Sequence, residues 1–325
     1  MAPSFRHLLG IESLTTGQIS FLLEQSKIFQ AIQRNPLKKL ATLRGKTVAL
    51  AFFEPSTRTR ISFATACARL GADTMLLQAD ASSLKKGESL LDTVLTLEAM
   101  KPDAIIMRHA SSGAADFAAA RLDVPVINAG DGIHEHPTQA LLDALTILDR
   151  KGAIENLNVT IVGDIAHSRV ARSNIHLLSR FGCRITLCGP GMWVPRELES
   201  LAPGIRRVAR IEDALQDADV VMALRVQQER MNEPALAAEE YILLYQLTPE
   251  RLRMARPDAI VLHPGPMNRG LEIDDAVADG PQSCILEQVT NGLAVRMALL
   301  FHLVGGPNAT QSGAPQTGEG PNAAD

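Results

Sequence analysis

Residues 47–60 constrain this chain more tightly than any other stretch. The apolar run 47–53 lies between Gly45 and Pro55 and is short for a buried helix, so it reads as a buried parallel strand. Ser56 and Thr57 then offer helix-capping hydroxyls, and 61–70 continues at helical spacing to a stop at Gly71. Where a strand ends and a helix begins, free backbone N–H groups and the positive end of the helix dipole gather at one spot. Two hydroxyls, Arg58 and those amides together suit a phosphate. The same residues also fit an ordinary N-cap followed by surface arginines.

The strand–helix rhythm recurs along the chain. Apolar runs at 73–78, 104–107, 124–128, 158–162, 184–188, 204–208, 220–224 and 259–262 read as strands. Helices are expected from Thr15 or Thr16 to about 31, and over 90–100, 114–122, 138–150, 169–181 and 285–303. Such alternation predicts an α/β protein, and the restart after Lys151-Gly152 divides it into two doubly wound parallel-sheet domains joined by interdomain helices. Candidate functional residues sit at the predicted strand exits. They are Arg108-His109, His136 before Pro137 at a helix mouth, Arg169 after Gly163-Asp164, Arg225-Val226-Gln227, and His263-Pro264-Gly265-Pro266. Open α/β sheets bind ligands at these ends. The polar segment 81–88, with Gly87 as a joint, reads as a mobile loop.

Composition removes several alternatives. A net charge of −4 and a pI near 6.1 give no electrostatic case for nucleic acid or an acidic membrane. Cys67, Cys183, Cys188 and Cys284 are scattered without a CxxC pair, which predicts no metal or disulfide framework and a reducing cytoplasm. No signal peptide or membrane span is legible. The segment 163–169 lacks G-x-G-x-x-G, so a nicotinamide cofactor is poorly supported, and no other cofactor is expected. From Gly305 onward the composition predicts a disordered tail, 305–325.

Five segments in order, Ser56-Thr57-Arg58-Thr59-Arg60, Ser82…Lys86-Gly87-Glu88, Arg108-His109, His136-Pro137-Thr138-Gln139 and His263-Pro264-Gly265-Pro266, resemble the aspartate carbamoyltransferases. The sister ornithine carbamoyltransferases share the Ser-x-Arg-Thr-Arg loop but typically carry His-Cys-Leu-Pro and an Asp…Ser-Met-Gly segment. Here His263-Pro264-Gly265-Pro266 and Arg225-Val226-Gln227 stand instead, and arginines suit a dicarboxylate co-substrate.

The resemblance implies transfer of the carbamoyl group of carbamoyl phosphate to the α-amine of L-aspartate, a step of pyrimidine biosynthesis. It implies a carbamoyl phosphate domain of 1–137 plus 288–304, an interdomain helix 138–149 and an aspartate domain 150–287. Ser56, Thr57, Arg58 and Thr59 would cradle phosphate, with Arg108 touching phosphate and carbonyl. His136 would face the carbonyl oxygen and Gln139 the amide. Ser82 and Lys86 would reach into the adjacent subunit's site, making a homotrimer with shared sites. Lys86 and Arg169 would hold the α-carboxylate of aspartate, Arg225 and Gln227 the β-carboxylate. Pro264 and Gly265 would offer carbonyls, with Pro266 also in the carbamoyl phosphate site. Some relatives have Leu where this chain has Gly265, which predicts a more flexible loop. The segment 263–270 resembles members that assemble with a dihydroorotase-like partner; others carry a regulatory chain.

Overall fold

The computed structural model describes residues 5–35, 38–78, 88–226 and 237–305. The expected loop 81–87, Gln227 and the tail 306–325 lie outside them. The first half runs α1 (Thr16–Arg34), β1 (Thr47–Phe52), α2 (Thr57–Leu70), β2 (Asp73–Gln78), α3 (Leu90–Ala99), β3 (Ala104–His109), α4 (Ala114–Ala119), β4 (Val126–Asp131) and α5 (Pro137–Lys151). In the second half, β5 (Asn158–Val162), α6 (Arg169–Arg180), β6 (Arg184–Cys188), β7 (Ile205–Val208), α7 (Ile211–Leu215) and β8 (Val220–Ala223) come first. They precede α8 (Ala238–Tyr245), α9 (Pro249–Leu252), β9 (Ile260–Leu262), α10 (Asp275–Ala278) and α11 (Ile285–Gly305).

Both sheets are parallel, in the orders β2-β1-β3-β4 and β7-β6-β5-β8-β9. Each therefore reverses direction once, between β1 and β3 in the first sheet and between β5 and β8 in the second. These are the topological switch points where ligands bind.

Burial follows the two-residue period of the strands. On β1, Val48, Leu50 and Phe52 enter one core while Ala49 and Ala51 enter another, against Val94 and Leu97 of α3 and Ala115 and Ala118 of α4. On β8, Val220 and Met222 face one way and Val221 and Ala223 the other. Both sheet faces are thus covered, which is why these strands read as unbroken apolar runs. Fully burying a side chain such as Leu50 or Phe63 contributes about 1.5–3 kcal/mol.

One continuous core joins the halves, from Leu50 and Phe63 through Leu141 and Leu145 of α5 to Ile161 and Leu187. α5 is buried from Pro137 to Ile147, and α11 returns from the second half to pack on α1, α2 and α5. No helix among the described residues is long and apolar enough to cross a membrane.

Local signals set the helix ends. Thr15 and Gln18 form a reciprocal capping box at α1. Gly71 closes α2 in the left-handed region at φ 84°. β4 differs from the sequence expectation of 124–128, because it continues through Gly130 to Asp131. Its polar end is well satisfied: Asn128 Nδ2 donates to Leu9 O and Asp131 Oδ1, and Asp131 also accepts from the Gly113 and Glu135 amides. The short helices α7 to α10, too brief for periodicity to reveal, were not legible in the sequence.

Candidate active site

The two switch points face one cavity of about 730 Å³. At the first, the Phe53 amide donates to Arg108 O at 2.8 Å, tying the exits of β1 and β3 together. At the second, the Leu224 amide donates to Val162 O at 2.8 Å and does the same for β5 and β8. Ser56, Thr57, Arg58, Thr59, Arg108, His136, Gln139, Arg169, Arg225, Pro264, Gly265 and Pro266 all line the cavity. Of the residues singled out in the sequence, Ser82, Lys86 and Gln227 lie outside the described residues.

Ser56 is the N-cap of α2 in extended conformation, yet its hydroxyl makes no capping bond to the helix. The expected cap is present as backbone geometry only. The first-turn amides of α2 and the side chains of Thr57, Arg58 and Thr59 are therefore gathered at the cavity wall as an anion cradle.

A carboxylate organises the arginines. Glu54, just past β1, accepts from Arg108 Nη2 at 3.0 Å and from Arg169 Nη2 and Nη1 at 2.9 and 3.2 Å. Arg108 Nη1 donates to Ala129 O, and Arg169 Nη1 donates to Gly132 O. Between them Gly130 has φ 115°, and a Cβ there would lie 3.0 Å from Arg169 Nε and 3.3 Å from Arg108 Nη1. Only glycine permits both that backbone conformation and that approach.

Charge is strongly unbalanced. Among the described lining residues, Arg58, Arg108, Arg169, Arg225 and Arg296 face the single carboxylate Glu54. Burial, and then the neighbouring Arg225, lowers the Arg58 guanidinium below its ordinary value. Cations held this close, in a partly desolvated recess, are preorganised for anions.

His136 is the N-cap of α5 and 5% exposed, with its amide donating to Ser173 Oγ at 2.8 Å. Ser173 in turn donates to Glu135, which also accepts the Ile11 and Glu12 amides. Burial first, then Arg108, Arg169 and Arg296, holds the imidazole well below its ordinary pKa. It is a neutral ring at pH 7, suited to donate a hydrogen bond to a carbonyl.

The loop after β9 is fixed by a buried pair. His263 Nδ1 accepts the Gly265 amide at 2.8 Å, leaving Nε2 to donate to Glu272 Oε1 at 3.1 Å. Gly265 has φ 61° and precedes a cis bond to Pro266, and a Cβ would lie 3.3 Å from the Arg58 guanidinium. A left-handed backbone against an arginine makes glycine the fitting residue there.

Sequence reasoning gave no role to Glu54, Arg296, Asp143 or Gln288. Arg296 is 5% exposed and donates to Ser62 Oγ at 2.8 Å and Thr138 Oγ1 at 3.4 Å, over the Phe63 ring. Burial lowers its pKa to about 10. A lone arginine in the apolar run 293–301 was the available signal, since buried charges seldom occur without purpose. Two acid–histidine groupings lie among the described residues, Glu12/Glu135/His176 and Asp116/Asp131/His134. Glu135 and Asp131 are already engaged by protein donors, so both serve as structural hubs.

Comparison with known proteins bears on this geometry. Residues 6–149 match the aspartate/ornithine carbamoyltransferase carbamoyl-P binding domain, and 155–303 the Asp/Orn binding domain of the same family. The chain is 58% identical over 298 residues to the aspartate carbamoyltransferase catalytic subunit of Solibacter usitatus, covering 92% of this chain and 99% of that one. It is 54% identical over 313 residues to that of Syntrophotalea carbinolica, covering 96% and 99%. Among solved structures, aspartate transcarbamoylase from Trypanosoma cruzi with carbamoyl phosphate and aspartate superposes with a TM-score of 0.85 at 30% identity, over 94% of this chain and 100% of that one.

Proposed function

Given that this chain belongs to the aspartate/ornithine carbamoyltransferase family, we propose that the cavity joins carbamoyl phosphate to L-aspartate. The chain is an aspartate carbamoyltransferase, a transferase whose products are N-carbamoyl-L-aspartate and phosphate. The carrying observation is the convergence of Arg58, Arg108, Arg169 and Arg225, from four separate strand exits, on one cavity.

In this reading the N-terminus of α2, with Ser56, Thr57, Arg58 and Thr59, binds the phosphate. The aspartate amine attacks the carbamoyl carbon, a C–N bond forms, and the carbonyl oxygen gains negative charge. Thr59, Arg108 and neutral His136 are the donors aimed at that oxygen. The C–O bond to phosphate then breaks, Arg58 stabilises the departing anion, and the phosphate accepts the amine proton. Arg169 and Arg225, joined by Gln227, hold the two carboxylates of aspartate, and Pro264 and Gly265 present carbonyls to the amino groups. Positioning of two polar substrates supplies much of the rate.

We place the active form as a homotrimer, with Ser82 and Lys86 of a neighbouring chain completing each site. Ile61 on α2 and Leu76 on the edge strand β2, exposed by 56% and 55%, offer apolar surface to a second copy. The domain boundaries given above, a cytoplasmic location in keeping with four free buried cysteines, and association with a dihydroorotase-like or regulatory chain belong to the same proposal.

Formation of a ureido product from carbamoyl phosphate with aspartate, and none with ornithine, is the deciding assay. The reverse preference overturns the substrate assignment. Mixing Lys86→Ala chains with Arg58→Ala chains restores activity if sites are shared; verified hybrids without activity refute the sharing.

A further inference from the structure

Beneath the cavity, three side-chain amides converge on one carboxylate. Asp143, on α5 and 1% exposed, accepts from Gln139 Nε2 at 2.9 Å, Gln288 Nε2 at 2.7 Å and Asn174 Nδ2 at 2.8 Å. These donors come from α5, α11 and α6. Gln288 continues the chain, because its Oε1 accepts the His263 amide at 2.9 Å, at the root of the Pro264-Gly265 loop.

A side-chain amide has a donor end and an acceptor end, and fixing one decides which the other side sees. Gln139 lines the cavity and spends its NH₂ on Asp143. Among the described residues, no donor reaches its Oε1. The neighbouring cavity wall is rich in donors, so an exposed acceptor there is unusual and selective. We propose that Asp143 is a positioning residue that locks the Gln139 amide with its oxygen toward the cavity, so that the site selects an acyl phosphate bearing an N–H₂ group.

The inference rests on the carbamoyl phosphate reading and deepens it, since acetyl phosphate has the same phosphate and carbonyl but a methyl in place of the NH₂. Burial pushes the Asp143 carboxyl up to about 6, against its three hydrogen-bond donors and Arg296, so it remains an acceptor at pH 7.5. The conservative replacement, Asp143→Asn, is informative. Its side-chain amide would keep an oxygen toward Gln139 and Gln288 and turn its NH₂ to Asn174, whose amide flips to present the Oδ1 that is otherwise buried without a partner, releasing its bond to Val170 O.

The test compares dissociation constants for carbamoyl phosphate and acetyl phosphate, measured by calorimetry on the full chain. Wild type should prefer carbamoyl phosphate. Asp143→Leu should cut that preference about tenfold, the scale of one lost hydrogen bond, with acetyl phosphate affinity held. Asp143→Asn should restore the preference. Asp143→Leu leaves three donors unmatched, so the second variant is Asp143→Leu/Asn174→Leu, which removes one buried donor together with its acceptor and keeps the Gln288 bond to the His263 amide, with folding checked by its thermal midpoint. It should lose the same preference. A purely structural role would weaken both ligands equally. An unchanged preference in the substituted proteins, or none in wild type, overturns the positioning role. Wild type that binds neither phosphate overturns the functional reading instead.

Discussion

The two walls of the cavity are built differently. The phosphate wall, from the first half, is nearly contiguous in sequence: Glu54 to Thr59 follow one strand, with Arg108 added from the end of β3 and His136 and Gln139 from the start of α5. The wall from the second half is assembled from scattered exits, with Arg169 opening α6, Arg225 after β8 and the 263–266 loop after β9. A helix N-terminus binds an anion through its own backbone, so one short run of consecutive residues suffices for phosphate. Two carboxylates on a flexible amino acid need guanidinium forks set at a distance, which several elements must supply. Glu54 spans the difference by holding Arg108 and Arg169 on one carboxylate.

Arg58→Ala should separate the walls most severely. It removes a phosphate contact and the partner of the departing charge, so turnover should fall by about 10³-fold or more while the thermal midpoint holds. Near-normal turnover in a steady-state assay would dismantle the phosphate wall as described. Gly130→Ala strikes both walls at once. A Cβ would displace Arg169 and Arg108 together, and sub-ångström misplacement of two forks should cost about 10²-fold in kcat/KM. A loss confined to one substrate's KM would mean that the arginines move independently.

Arg225→Lys addresses the second wall alone. A point charge cannot match a carboxylate bidentately, so the KM for aspartate should rise about 10- to 100-fold. The dissociation constant for carbamoyl phosphate should stay within about twofold, because lysine keeps a positive charge beside Arg58. Equal weakening of both ligands would show that the walls are not separable.

The same asymmetry governs what the sequence reveals. Strand exits and the anion cradle are legible because short apolar runs and helix starts are local patterns, as at 47–60. Arg169 and Arg225 acquire meaning from the resemblance, since no local rule places them opposite each other. Glu54 hides in plain view: a carboxylate beside an anion loop looks unfavourable until the arginines it gathers are seen. The Asp143 hub draws on residues 139, 143, 174 and 288, whose meeting depends on α5, α6 and α11 packing together. No pattern along the chain encodes that meeting. The extension of β4 through Gly130 was missed because a glycine ordinarily ends a strand, whereas here it admits two arginines.

The last effect is one of stability, with no bearing on either substrate, and it opposes the N-cap of α5 to a group within it. His136 has a folded pKa below its unfolded value of 6.5, so the unfolded chain takes up a proton first as pH falls. Its stabilising contribution is full above pH 6.5 and is lost on acidification. Asp143 runs the other way. With its pKa raised from 3.8 to about 6, the folded state binds the proton first, and stability tied to this group is recovered as pH falls from about 6 toward 3.8. The full span corresponds to roughly 3 kcal/mol. Urea midpoints at pH 7.5 and 4.5 should therefore diverge in opposite senses. Relative to Asp143→Asn, wild type gains stability on acidification, and relative to His136→Gln it loses stability. Parallel shifts in the two comparisons would mean that one of these groups carries its proton differently in the folded chain, and a polarising role for His136 requires that it be the neutral one.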